Sequence, residues 1–521
     1  MKIVFLDKSY SVPKNALSTI YLTKNDWDDY SFKTSFYVQV CDEDGHLHDL
    51  EIVKIGFTGQ TTEHTTYSVI SEKSGFPAFE QIPEGFFSVG LDVEYYKKIY
   101  ALPEQTRRSY LLAIKDIAFD SKLFELAQKE DVFKDSLLRH ISVSLIKGQF
   151  ARVIRGEPPL TDFLFKFVRS ETEKMSEIEL KFNVLVDSNP PTNIHAIIGR
   201  NGVGKTTLLN GMVEAITSTE QKNTQFYEFR DRDYHLINQD YFGCLVSISF
   251  SAFDPFEPPE EQVKPSLGTC YYYIGLRTKE ENFQPVKTKL KSLEEIYKEF
   301  AEALKICSMQ NSMRKRWCHA IETLESDEKF GYLELKDLIK TSPEKLKESA
   351  IQKIKQMSSG HMIVLLTITK LVATVQEKTL VIFDEPESHL HPPLLSALIR
   401  ALSDLLHTQN GVAIIATHSP VVLQEVPKSN IWKIYRYGDA VKASRPDIET
   451  FGENVGVLTR EVFGLEVVKS GYHDLLTKSV EKGGSYQDIV EEYGEKLGLE
   501  ARALLKVLVM ERDRNLNDDE D

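Results

Sequence analysis

The run Gly199-Arg200-Asn201-Gly202-Val203-Gly204-Lys205-Thr206-Thr207 satisfies G-x-x-x-x-G-K-[ST] in full. An apolar stretch, Ile194 to Gly199, precedes it, and a helix-like Leu208-Leu209-Asn210-Gly211-Met212-Val213 follows. Glycines let successive backbone N–H groups wrap a phosphate, and the helix N-terminus adds partial positive charge. In that chemistry Lys205 pairs with the terminal phosphates of ATP, Thr206 turns its hydroxyl to Mg²⁺, and Thr207 supports the α-phosphate. Thr379-Leu380-Val381-Ile382-Phe383-Asp384-Glu385-Pro386 reads as a buried strand ending in two carboxylates. A parallel sheet leaves such acids at its carboxyl edge, beside the phosphate loop. Asp384 is then expected to hold the magnesium shell, and Glu385 to polarise the attacking water as general base.

Two weaker signals gain meaning from their distance to these. Ala413-Ile414-Ile415-Ala416-Thr417-His418-Ser419-Pro420 is a second apolar strand ending in a histidine, and His418 is expected to sense the γ-phosphate. Met357-Ser358-Ser359-Gly360-His361 precedes an apolar helix, so Ser359 and Gly360 would offer a hydroxyl and backbone N–H groups at a helix start.

The elements around these motifs set the fold class. Buried strands alternate with helical stretches at Ile363 to Val375, Thr379 to Phe383, Pro393 to Leu406 and Gly411 to Thr417. That rhythm means an α/β fold with a parallel sheet between helices. Upstream, Phe36, Val38 and Val40 share one strand face, and Asp42-Glu43-Asp44-Gly45 turns the chain toward Leu50 to Ile55, a hairpin signal. We therefore expect an N-terminal antiparallel β-layer of the head over residues 1–92 and a helical insertion over 93–172. A first half of the phosphate-loop core over 173–255 and a helical lobe over 256–357 follow. The second half of the core, over 358–449, precedes a C-terminal helical tail over 450–521.

Composition narrows the alternatives. The chain has 521 residues, 41 % hydrophobic and 27 % charged, as in ordinary globular proteins. The apolar run near Ile363 to Val375 is interrupted by Lys370 and too short for a bilayer, and the N-terminus lacks an apolar leader core, so no membrane is expected and the cytoplasm is the expected compartment. Five cysteines without C-x-x-C spacing fit reduced thiols. A net charge of −15 argues against a broad nucleic-acid-coating surface, although Lys287-Thr288-Lys289-Leu290-Lys291 and Arg314-Lys315-Arg316-Trp317 keep a local DNA contact open. The tail Asn517 to Asp521 is acidic.

In this order, the motifs resemble the ABC-type ATPase heads of the SMC, RecF and OLD-like families. The resemblance is specific over 177–210 and 355–435. It implies that Ser359-Gly360 is the signature loop, aimed at ATP held by another chain. A head-to-head homodimer around two ATP and Mg²⁺ sites is implied in turn. The segment Glu387-Ser388-His389-Leu390-His391-Pro392 looks like the OLD-like branch, in which it is a structural D-loop and not a metal site.

Together with Thr417 to Pro427 and Phe451-Gly452-Glu453-Asn454, that segment resembles PtuA, the family of ATPase subunits of Septu and some retron antiphage systems. Membership would imply an HNH nuclease partner (PtuB-like) and assembly of dimers into a larger oligomer. Two departures stand out. No glutamine follows the strand Leu245 to Phe250, where Ser251-Ala252-Phe253-Asp254 stands instead, and His361 replaces a usual glutamine or glutamate. Slow turnover is expected from the first.

About 150 residues separate Thr207 from Ser358 without sustained heptads, which excludes long SMC arms. Roughly 100 residues after His418 are too few for the nuclease domain of OLD proteins. A transporter subunit is disfavoured by the long N-terminal region. A compact RecF-like repair ATPase stays as the alternative.

Overall fold

The structure is a computed structural model. It describes residues 1–518 apart from 8–11, 14, 26, 74–77, 140, 158, 173–175, 219–222, 239–240, 252–256, 281–286, 438–439 and 464–470. Asp254 and the last acidic residues therefore lie outside the described residues.

The first module is a six-stranded sheet with helices on it. Its strands are β1 (Lys2–Leu6), β2 (Thr19–Lys24), β3 (Ser35–Cys41), β4 (Leu47–Phe57), β5 (Ala78–Phe79) and β6 (Phe86–Gly90), in the order β5-β1-β2-β3-β4-β6. The β3–β4 hairpin forms as expected, with Cys41 opposite Leu47. One pairing departs from an antiparallel layer: β1 and β2 run parallel, which a tight two-residue hairpin cannot give.

Among the described residues no strand of this sheet joins the other sheets. Ile20, Val38, Val53 and Val89 instead share one buried cluster with Tyr96, Tyr110, Phe133 and Phe150 from the helical segment that follows. At its centre Asp29 is buried between Lys54 (2.7 Å) and Arg139 (2.9 Å), a paired burial that leaves no charge alone.

The expected helical insertion ends early. Residues Phe163–Arg169 form β7, which pairs with β8 (Ile178–Val184) and β10 (Thr224–Arg230). β11 (Asp233–Leu236) completes a four-stranded antiparallel sheet in the order β11-β10-β7-β8. β7 and β8 alternate buried and outward residues, and Phe165 stacks on Phe182 with centroids 5.1 Å apart.

The central sheet has seven strands. They are β9 (Ile194–Ile198), β12 (Cys244–Ser249), β13 (Cys270–Gly275), β16 (Thr379–Asp384), β17 (Val412–Thr417), β18 (Ile431–Tyr437) and β19 (Ala440–Ser444), in the order β13-β12-β16-β17-β9-β18-β19. All neighbours are parallel except the last hairpin. β13 falls within the range 256–357 expected as a helical lobe, as does the small hairpin β14 (Arg277–Glu280) and β15 (Lys287–Leu290).

Helices cover both faces. On one side lies α1 (Lys205–Thr217), sharing a core with the four-stranded sheet through Leu208, Met212, Phe167 and Phe226. On the other lie α2 (Leu293–Met309), α3 (Asn311–Leu324), the short α4 (Glu328–Tyr332), α5 (Pro343–Ile354), α6 (Ser359–Thr374) and α7 (Pro392–Thr408). α2 starts after Ser292, where Ser292 and Glu295 form a reciprocal capping box. α6 is buried along nearly its whole length, as its apolar run suggests.

Beyond Thr450 come helices Val455–Phe463, Tyr472–Glu481, Tyr486–Glu492 and Leu499–Asp518. The last three share a small core around Leu476, Ile489 and Leu505. Among the described residues no helix is long and apolar enough to cross a membrane.

Candidate nucleotide site

Strand order builds the site. β17 lies between the phosphate-loop strand β9 and the acidic strand β16, with Thr417 beside Ile198 and Asp384 beside Ala416. The carboxyl ends of all three strands therefore open at one edge, the crevice where parallel sheets bind ligands.

The loop Gly199 to Gly204 leaves β9 and enters α1. Gly202 (φ +80°) and Gly204 (φ +95°) sit in the left-handed region, where a side chain would be strained. A Cβ on Gly199 would meet the Ile434 carbonyl at 2.6 Å. Lys205 is buried, and its ammonium donates to the carbonyls of Gly199 (3.0 Å) and Arg200 (3.4 Å), so it lies folded into the concavity of its own loop. Burial lowers its proton affinity, while Glu385, Asp384 and Glu387 oppose that. Arg200 and Asn201 are exposed, Val203 half-buried, and Thr207 exposed at the head of α1.

Thr206 Oγ1 donates to Asp384 Oδ2 at 2.8 Å, joining the two residues expected at magnesium. A hydroxyl and a carboxylate at this spacing suit a hard divalent cation that keeps most of its waters. Glu385 follows in a left-handed conformation (φ +44°, ψ +62°), unusual for a non-glycine residue, pinned by its amide to the Ala416 carbonyl at 2.9 Å. This strained turn places Glu385 Oε1 3.8 Å from His418 Nδ1.

One residue was not singled out by sequence. Glu387 Oε1 accepts from the His418 amide (2.8 Å) and from Thr417 Oγ1 (2.8 Å), and stands 3.0 Å from His418 Nδ1. It is the side chain that fixes His418. Its only signal was its place two residues after Glu385, across a proline that opens a short 3₁₀ turn (Pro386–His389).

The signature residues stand apart. The described bonds and ion pairs linking Lys205, Thr206, Asp384, Glu385, Glu387 and His418 do not reach Ser359 or Gly360. Ser358 is the N-cap position of α6, Ser359 is exposed, and Gly360 is buried beneath the D-loop, where a Cβ would meet the His389 carbonyl at 2.8 Å. His389 Nε2 donates to the Phe250 carbonyl at 3.2 Å, a structural contact.

A seven-stranded sheet, a phosphate loop entering a helix and an acidic strand end define an α/β P-loop ATPase fold of the ABC-head kind. A family model described as "AAA domain, putative AbiEii toxin, Type IV TA system" matches residues 321–424, which hold Ser359-Gly360, the acidic strand and His418. Protein ea59 of Escherichia phage lambda is 48 % identical over 526 residues, covering 98 % of each chain. The chain belongs to the ea59 family.

Solved structures with some likeness include the ADP form of MJ1267, an ATP-binding cassette of an ABC transporter. It is 13 % identical, covers 59 % of this chain and 98 % of its own, and has a TM-score of 0.32. The cbiO1 subunit of a Clostridium perfringens ABC transporter complex is 15 % identical over 59 % of this chain and 95 % of its own, with a TM-score of 0.31.

Proposed function

We propose that this chain is an ATPase that closes into a head-to-head homodimer around two ATP molecules and uses that closure to control a partner. The observation that carries the reading is the split site. Phosphate loop, magnesium residues, Glu385 and the Glu387-held His418 converge at one sheet edge, while Ser359 and Gly360 sit at another helix start without contact to them. A donor set presented away from its own phosphate loop serves a second copy's nucleotide.

Within one site, Lys205 and the loop amides bind the β- and γ-phosphates, and Thr207 supports the α-phosphate. Thr206 and Asp384 would hold Mg²⁺, which neutralises phosphate charge. Glu385 orients water and takes its proton, and His418 donates to the γ-phosphate from the position Glu387 gives it. With no glutamine after β12, turnover is slow, so ATP acts more as a clamp than as a fuel.

The finer reading, an HNH nuclease held or released by that clamp in antiviral defence, rests on the motif resemblance to PtuA. The two segments that carry that resemblance, Thr417 to Pro427 and Phe451 to Asn454, touch through the Gln424 side chain to Glu453 O (2.7 Å) and the Gly452 amide to Gln424 O (2.9 Å). The alternative is a RecF-like repair ATPase acting on DNA. Neither basic run favours it. The Lys291 side chain of the first is buried against Glu299 at 2.5 Å, and Trp317 of the second is wholly buried.

Native mass spectrometry of Glu385→Gln, which should bind ATP without cleaving it, tests the clamp. A dimer with ATP and Mg²⁺ but not with ADP is expected; a monomer in every state overturns it. Co-expression with the neighbouring reading frame tests the finer reading. An HNH protein that co-purifies supports it, and an unaccompanied dimer with DNA-stimulated hydrolysis favours the repair role.

A further inference from the structure

Beside the signature loop, three side chains from three segments converge. Asp327 caps α4, His361 lies in the first turn of α6, and His391 immediately precedes α7. His361 Nε2 is 3.1 Å from Asp327 Oδ1, and His391 Nε2 is 3.3 Å from Asp327 Oδ2. One ligand atom from each lies within 4.8 Å of the others. None of the three belongs to the nucleotide site, and sequence reading had set His391 aside as part of a structural loop.

We infer that Asp327, His361 and His391 form a divalent transition-metal site of the zinc class. His361 Nε2 and His391 Nε2 flank opposite oxygens of the Asp327 carboxylate, and a set of one ligand atom per residue within 4.8 Å has to draw in only slightly to reach the roughly 3.3 Å ligand spacing of a tetrahedral zinc. Two imidazoles and a carboxylate suit zinc over magnesium or calcium, which prefer oxygen-only shells. The outer shell is built as well. Ser358 Oγ lies 2.6 Å from His361 Nδ1, and the imidazole leans on Phe330 with ring centroids 5.4 Å apart, so the ring is oriented with Nε2 toward Asp327. His361 is buried and Asp327 partly buried, whereas the His391 side chain is half exposed, so the cluster is open to solvent on the His391 side.

Such an ion would tie the start of α6, the loop after Asp384-Glu385 and the helical lobe at one point. Resting on the proposed dimer, it would fix how Ser359 and Gly360 are presented to the second copy. Metal binding itself does not depend on that reading.

The test is a titration of the chelator-treated, nucleotide-free chain with Co²⁺, followed by visible d–d absorption and then Zn²⁺ displacement. One saturable equivalent with the spectrum of a low-coordinate nitrogen–oxygen site is expected. His391→Ala should weaken binding at least tenfold while circular dichroism stays unchanged, as the side chain is half exposed. Cys318→Ser should leave binding intact, separating this site from chelation by the Cys318-His319 pair on α3. Absence of saturable binding, or binding that His391→Ala leaves unchanged, overturns the inference and leaves a hydrogen-bonded trio. ATP-dependent dimerisation of the unsubstituted chain, read separately, tests the nucleotide reading, and its failure leaves the metal result standing.

Discussion

Glu387 offers a direct test of how the histidine is held. Its carboxylate is nearly buried and accepts from the His418 amide and the Thr417 hydroxyl, both at 2.8 Å, with the His418 ring 3.0 Å away. Truncation in Glu387→Ala strips two donors of their acceptor, and Thr417 is fully buried. An orphaned buried donor costs about 1–3 kcal/mol, so the variant should lose roughly 2–6 kcal/mol. In Glu387→Gln an amide oxygen remains for the same two donors, and only the charge facing the imidazole goes. The cost there should be near 1 kcal/mol, with kcat down about tenfold because the ring is less firmly placed.

The assay is steady-state phosphate release together with thermal melts of both variants, and ATP affinity measured by a fluorescent analogue. The expected pattern is a graded one. Gln keeps the melting temperature and ATP affinity but loses rate, whereas Ala loses rate and stability together. Wild-type kcat in Glu387→Gln, or equal stability in both variants, would refute the positioning role.

Lys205→Ala should weaken ATP binding by at least about 100-fold, read by analogue fluorescence, without unfolding the chain, since the substitution removes a buried ammonium; a change under threefold would contradict the phosphate role. Gly360→Ala places a Cβ 2.8 Å from the His389 carbonyl, so the signature turn must shift, and ATP-dependent dimerisation should fall roughly tenfold by analytical ultracentrifugation. Undiminished dimerisation would argue against a signature role for this turn. In the first module, burial pushes the Asp116 carboxyl from 3.8 up to about 7. The folded chain then holds that proton more tightly than the unfolded chain, so stability should fall as pH rises between about 4 and 7, by up to ~4 kcal/mol, and level off above. Asp116→Asn should flatten that slope in melts across this range, and equal slopes in both proteins would refute it.

The site was legible where chemistry forces both residue type and neighbourhood. A phosphate loop needs its glycines and lysine, and an acidic strand end needs an apolar strand before it, so Gly199 to Thr207 and Asp384-Glu385 could be placed from sequence. Glu387 and Asp327 could not, because their work is to hold another residue, and nothing local distinguishes such a carboxylate from a solvated one. The strand β13 was hidden by its loop-like flanks, although Tyr271-Tyr272-Tyr273-Ile274 has the aromatic and branched character of a strand. The β10–β11 hairpin turns through Asp231 and Arg232, both at positive φ (54° and 69°), with no glycine or asparagine to announce it. The parallel β1–β2 pair was missed because register between strands depends on the connection and not on either strand.

The same logic explains how the first module is bound to the chemistry. Glu377 lies on the turn from α6 to β16, between the helix that begins at the signature and the strand that ends in Asp384-Glu385. Its carboxylate is almost completely buried, accepts from the Gln149 amide at 2.8 Å and pairs with Arg152, both on the helical part of the first module. Burial raises its proton affinity and Arg152 opposes that, so the pair holds only while both partners stay in place. At its other end α6 is closed in by the D-loop, through Gly360 beneath the His389 carbonyl. The signature helix is thus fixed at its start to the loop behind the general base and at its end to the first module. A rigid, buried helix held at both ends transmits displacement along its axis. Under the proposed dimer, Glu377 and its partners Gln149 and Arg152 are where the end of α6 and the start of β16 meet the first module.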